Sequence, residues 1–93
     1  MNETLDLFWG RALKIARHYD TDGMIFADLT GMADDFSAGF HEAIADTPED
    51  KRQHAIATLQ GKLNDAGSSD RYNDRYCEAF TELAASLNRI PIY

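Results

Sequence analysis

Apolar residues recur at spacings of three and four along most of the chain, and this periodicity limits the fold more than any other feature. Residues three and four apart share one face of a helix, so the pattern predicts amphipathic helices that each bury one side. The run Gly23–Leu29 is the one apolar stretch short enough for a strand, but Ile25 continues in helical register into Leu29 and Met32. A single all-α domain over residues 1–93 is therefore expected, since a chain of 93 residues fills one domain.

Four helices are predicted, and the connections between them contain residues typical of helix ends. Their expected ranges are about 4–19, 23 or 24 to 45, 48–65 and 70–88. Thr47 is a candidate N-cap with Pro48 at the first helical position, and Gly67 is expected to end the third helix in a left-handed conformation. Ser68 or Ser69 is the expected cap of the fourth helix.

The apolar stripes predict which residues form the core. For the second helix the predicted face is Ile25, Leu29, Met32, Phe36, Phe40 and Ala43. The third helix has a narrow stripe of Ile56, Leu59 and Leu63, which is typical of a peripheral helix. Short connections favour antiparallel neighbours, so we expect a compact bundle of four antiparallel helices, or five if Gly31 breaks the second one.

One stretch, His18–Leu29, has the order of residues found in calcium-binding loops. Aligning Gly23 with the invariant glycine places Asp20 and Asp22 at ligand positions. His18 and Leu29 then occupy the two ends of the loop, where such sites need carboxylates. The stretch is better interpreted as a turn between helices, for which Asp and Gly are typical residues.

Catalytic and metal-binding patterns are weak throughout the sequence. The three histidines, His18, His41 and His54, are far apart, and no His-x-x-x-His or Glu-x-x-His pair occurs. Cys77 lies in the middle of a predicted helix beside the carboxylate of Glu78, whereas nucleophilic thiols lie at helix N-termini or beside cations. Without a Gly-x-Ser-x-Gly or phosphate-binding loop either, we expect no enzyme activity, no metal and no cofactor.

Cysteine content and hydropathy indicate where the chain resides. A single cysteine, Cys77, cannot form an intramolecular disulfide, which is typical of a reduced compartment. The N-terminal residues MNETLDLFWGR lack the basic and apolar regions of a secretory signal. No run of about 18 apolar residues is present, so no membrane span is expected. A cytoplasmic protein is the resulting expectation.

The charge distribution is the most informative signal. The formal net charge is −7, and residues 18–50 contain nine acidic residues but no Lys or Arg. On an unbroken second helix, Asp28, Asp35, Glu42 and Asp46 project within about 40° of one another. An acidic row of this kind disfavours direct binding to nucleic acid. It is either a solvated face or a docking surface for a basic partner.

The first helix carries the opposite charge on its exposed side. Leu7, Arg11, Lys14 and His18 form a stripe that is basic with one apolar residue. A molecule with a basic and an acidic face can associate with itself, so these residues are a candidate surface for homo-oligomerisation.

We therefore expect a small acidic non-enzymatic binding protein, an inhibitor or adaptor that docks on a basic surface of a partner protein, for example a surface that binds nucleic acid. The candidate partner-binding residues are Asp28, Asp34, Asp35, Glu42 and Asp46. Phage and mobile-element proteins that inhibit host machinery provide an analogy of size and charge only. The alternatives are a self-assembling structural module and a bundle that binds a small ligand or a metal.

Overall fold

The computed structural model describes residues 2–89, which form four α-helices and no strand. The helices are α1 (Asn2–Thr21), α2 (Phe26–Ala43), α3 (Glu49–Gly67) and α4 (Asp74–Arg89). The predicted all-α fold is confirmed. Helix α2 is continuous through Gly31, so the described residues form four helices and not five.

Helices α1 and α2 run antiparallel, as do α3 and α4, and cross-helix contacts show this for both pairs. Phe8 near the start of α1 packs on Phe40 near the end of α2, with ring centroids 5.1 Å apart, while Ile15 and Met32 line one groove farther along. In the second pair, Gln60 Nε2 donates to the carbonyl of Ala84 at 3.1 Å. Farther along the same pair, Gly67 at the end of α3 lies against Thr81 of α4.

Helix α4 occupies the centre of the bundle and contacts each of the other three helices. Helices α2 and α3 do not approach one another within the described residues, and α3 packs mainly on α4. The fully buried side chains of α4 include Phe80 and Leu83. The predicted stripe of α3 is buried. That α3 is peripheral stays a prediction, because its contacts with the bundle are as extensive as those of α2.

The buried face of α2 is rotated from the predicted one. It consists of Leu29, Ala33, Phe36, Ser37, Phe40 and His41. Ile25 and Ala43 are exposed and Met32 is half-buried, so these three residues were wrongly assigned to the centre of the face. The physical reason is a polar contact: the hydroxyls of Ser37 and Ser86 hydrogen-bond to each other in the core. A polar side chain with such a partner can be buried, so apolar periodicity alone does not locate this face.

Two predicted helix caps are also corrected. Helix α4 begins at Asp74, because the side chain of Asn73 accepts a hydrogen bond from the Tyr76 amide at 2.9 Å. Ser69 instead accepts a bond from the amide of Arg71 in the preceding turn. At the start of α3, Pro48 and not Thr47 occupies the N-cap position, without a side-chain capping bond.

Gly67 was expected in a left-handed conformation and is instead the last residue of α3. Among the described residues the positive φ belongs to Gly23, at 66°, in the turn between α1 and α2. A Cβ atom at position 67 would lie 2.7 Å from the hydroxyl oxygen of Thr81 and 3.3 Å from the carbonyl oxygen of Cys77. Glycine is thus needed for the close approach of α3 to α4.

This close approach predicts opposite effects for two glycines of the same helix. Gly67→Ala is expected to lower the free energy of unfolding by about 1–3 kcal/mol, because the methyl group overpacks the contact with Thr81. Gly61→Ala is the matched control, since nothing lies within 4 Å of its added Cβ. It is expected to raise stability by up to about 1 kcal/mol through helix propensity. Urea unfolding followed by circular dichroism measures both, and two shifts of the same sign would contradict the packing argument.

Candidate interaction surfaces

The predicted acidic residues divide into two groups in the structure. Asp28, Asp35 and Glu42 are exposed on α2, and Asp46 is exposed in the turn after the helix ends at Ala43. None of these four carboxylates forms an ion pair with another residue in the range 2–89. We call Asp28, Asp35, Glu42 and Asp46 the acidic row.

Asp34, the fifth predicted residue, has a partner inside the molecule. Its Oδ1 accepts hydrogen bonds from Arg89 Nε at 3.0 Å and from Nη2 at 2.6 Å. Arg89 Nη1 also donates to the nearly buried Glu82 at 2.9 Å. The bonds to Asp34 and Glu82 raise the pKa of Arg89. Asp34 therefore ties α2 to the end of α4, and its carboxylate is already occupied.

The two charged helices are neighbours, with their opposite charges at one groove. Arg11, Lys14 and Asp35 border a groove of about 340 Å³, whose apolar lining includes Met32 and Phe36. The sequence predicted separate basic and acidic faces on two helices. The structure instead places the basic side of α1 directly beside the middle of the acidic row.

The four residues proposed for self-association lie at the surface of α1. Leu7 is 54% exposed, and the Arg11 guanidinium lies over the ring of Phe8 at 4.6 Å from its centroid. Lys14 is exposed and His18 pairs with Asp22. All four side chains are exposed, and homo-oligomerisation stays a prediction.

Local pairing also explains the turn that resembles a calcium loop. The carboxylate of Asp22 contacts the imidazole of His18 one helical turn earlier. Asp20 Oδ1 accepts a hydrogen bond from Asn73 at 3.0 Å. Each acid thus serves a separate local contact, and within residues 2–89 no three His, Cys, Asp or Glu side chains are grouped to hold a metal ion.

Comparisons of the chain with models of known protein families, with curated proteins and with solved structures gave no match. Within the described residues, none of the helices has the length and apolar content needed to cross a membrane. The surfaces of the bundle are thus the basis for inferring what it does.

One surface feature was missed by the sequence interpretation. Ile25 and Phe26 precede and begin α2, and they are 63% and 51% exposed. The available signal was their adjacency: neighbouring residues differ by about 100° around a helix, so both cannot face the core. Ile25 and Leu29 are one helical turn apart, so spacing alone does not separate them. Ile25 is exposed because it precedes α2 in an extended conformation.

A second missed residue is Arg75, which fixes the turn from which this apolar pair projects. Its Nη2 donates to the carbonyl of Tyr19 at 2.8 Å and to that of Met24 at 2.7 Å. Its guanidinium also lies 3.6 Å from the centroid of the Tyr19 ring, and the Tyr19 hydroxyl donates to Glu78. Arg75 thus caps the last turn of α1 and holds both ends of the loop before α2.

Proposed function

We propose that the protein is a small, non-enzymatic binding protein that docks on a basic surface of a partner protein through the acidic row. The observation that carries this proposal is the exposure of four carboxylates that lack ion pairs within the described bundle. Asp34, included in the sequence prediction, is left out of the proposed contact because Arg89 occupies it.

The geometry of α2 supports a linear contact. Asp28, Asp35 and Glu42 are spaced by seven residues, which corresponds to about 10.5 Å of rise between successive carboxylates. Helix α2 contains no Lys or Arg that could neutralise them through i,i+4 pairs. A partner with Lys and Arg side chains along a groove, such as the nucleic-acid channel of a DNA- or RNA-handling protein, has the complementary charge.

The expected energetics are those of steering and competition. Single exposed ion pairs contribute about 0.2–1 kcal/mol each, so affinity has to come from several pairs together with other contacts. Rows of charge mainly raise the association rate and the specificity for one partner over another. Both effects weaken as salt screens the electrostatic field. An inhibitor of this type acts by occupying a basic surface that another anion would otherwise bind.

Charge reversal within the row tests the proposal. The double variant Asp35→Lys/Glu42→Lys is expected to reduce retention of partner proteins from a lysate of the source cells at least tenfold at low salt. The reason is that it reverses the field at the centre of the row. The measurement is a pull-down on immobilised protein, quantified by mass spectrometry at two salt concentrations.

The matched control is Glu49→Lys/Asp50→Lys, which makes the same change in net charge at the exposed start of α3. It is expected to retain the partner nearly as the wild type does. Equal losses with both variants would show that net charge alone, and not the row, governs binding. Circular dichroism verifies that the two variants keep the same helicity.

A further inference from the structure

An apolar groove opens beside the exposed pair Ile25 and Phe26. It has a volume of about 390 Å³ and lies between the start of α2 and the outer face of α4. Its lining consists of Phe26, Cys77, Glu78, Thr81, Glu82 and Ala85. The groove thus combines one aromatic ring and small side chains with two carboxylates.

The apolar pair is held in place before any partner arrives. Arg75 binds the carbonyls on both sides of the turn, those of Tyr19 and Met24. The carbonyl of Phe26 accepts a hydrogen bond from the Thr30 hydroxyl at 3.1 Å inside the first turn of α2. A fixed loop loses little conformational entropy on binding. Most of the free energy gained by burying this apolar area therefore contributes to affinity.

The charge around the groove selects the kind of partner. Glu78 is exposed at its edge, where its carboxylate also accepts the hydrogen bond from the Tyr19 hydroxyl. The two cations of α4 are both engaged: Arg75 with backbone carbonyls, and Arg89 with Asp34 and Glu82. Glu78 forms no ion pair within the described residues, so the rim presents negative charge.

We propose that this groove takes an apolar side chain from a basic amphipathic segment of the partner protein, with Phe26 and Ile25 as its apolar contacts. This inference rests on the proposed function and adds the chemistry of the partner: Leu- or Phe-type anchors flanked by Lys or Arg. Such segments bind grooves through apolar residues at helical spacing, while the flanking charges face the rim. Carboxylates then provide steering, and the groove provides the apolar contact.

Two labelled peptides of equal charge test the inference. One contains Lys with Leu at helical spacing, and the other has Ser in place of every Leu. By fluorescence anisotropy, the Leu peptide is expected to bind the wild-type protein about tenfold more tightly than the Ser peptide. Phe26→Ser is expected to abolish that difference and to leave binding of the Ser peptide unchanged. Leu7→Ser is the matched control, because Leu7 is a comparably exposed apolar residue on α1.

The single cysteine reports where the peptide binds. Cys77 lines the groove and is half-buried, so an anchored Leu peptide is expected to slow its alkylation by iodoacetamide severalfold. The Ser peptide is expected to change the rate little. An unchanged rate at saturating Leu peptide would place the contact elsewhere and overturn the inference.

The failures of the two proposals are distinguishable in this design. If Asp35→Lys/Glu42→Lys weakens both peptides while Phe26→Ser changes neither, the acidic row stands and the anchor groove is overturned. If Phe26→Ser weakens only the Leu peptide and charge reversal has no effect on either, the groove stands and the row is overturned. Sedimentation that shows a dimer of the wild-type protein lost in Phe26→Ser would assign the groove to a second copy, and would also overturn the inference.

Discussion

Replacing Phe80 with alanine is expected to lower the free energy of unfolding by about 3–5 kcal/mol, a large part of the total for a small domain. Phe80 is fully buried on the central helix. Its ring stacks on Trp9 at 5.5 Å between centroids and meets the edge of Tyr72 at 5.0 Å. Truncation leaves a cavity between α1 and α4 that neither neighbour can fill without leaving its own contacts. Urea unfolding followed by circular dichroism gives the loss.

Trp9 is the only tryptophan, so its fluorescence reports the same site. Because its ring is stacked on Phe80, the Phe80→Ala variant is expected to shift the Trp9 emission in the folded state. Phe26→Ala serves as the control, since half of Phe26 is exposed, and a change within about 0.5 kcal/mol is expected there. Similar losses for the two phenylalanines would contradict the assignment of Phe80 to the core.

Replacing Arg75 with methionine is expected to lower the free energy of unfolding by about 2–4 kcal/mol. The substitution keeps an apolar stem of similar length and removes the donors to Tyr19 and Met24, which leaves the two carbonyls without that partner. It also removes the cation from the Tyr19 ring. Arg75→Lys is expected to recover less than half of the loss, because an ammonium group cannot reproduce the planar guanidinium.

Hydrogen exchange separates this mechanism from a general loss of packing. Faster exchange in Arg75→Met is expected first in the turn at residues 20–25, since that segment loses its link to α4. Arg71→Met is the matched control, because Arg71 is exposed in the turn before α4. If the Arg75→Met variant kept the stability and the exchange rates of the wild type, the two backbone contacts would contribute nothing to stability.

Periodicity predicts those parts of the fold where an apolar stripe is sufficient to define the buried side. The stripe of α3 is buried as expected, with Ile56, Leu59 and Leu63 in the core. Periodicity fails in α2, because Ser37 is a polar residue that is nevertheless buried. Its hydroxyl hydrogen-bonds to that of Ser86, which lies 49 residues later in the sequence. A stripe of apolar residues cannot represent a buried hydrogen bond.

The residues of the candidate sites also divide into those that helical spacing predicts and those that it does not. The exposed carboxylates Asp28, Asp35 and Glu42 were predictable, because like charges at helical spacing share one face. The pairing of Asp34 with Arg89 was not, because 55 residues separate the two in sequence. Gly67 illustrates a third case: the residue that explains it, Thr81, lies on another helix, whereas its local context resembles an ordinary helix end.

The central position of α4 has a consequence for synthesis. Helix α4 contacts all three other helices and is the last of the four to leave the ribosome. Until it emerges, α3 has no extended packing surface, and Phe36 and Phe40 of α2 are covered by α1 alone. The nascent chain therefore exposes apolar faces until residues 74–89 arrive, and folding is expected to follow release of α4 as one cooperative step.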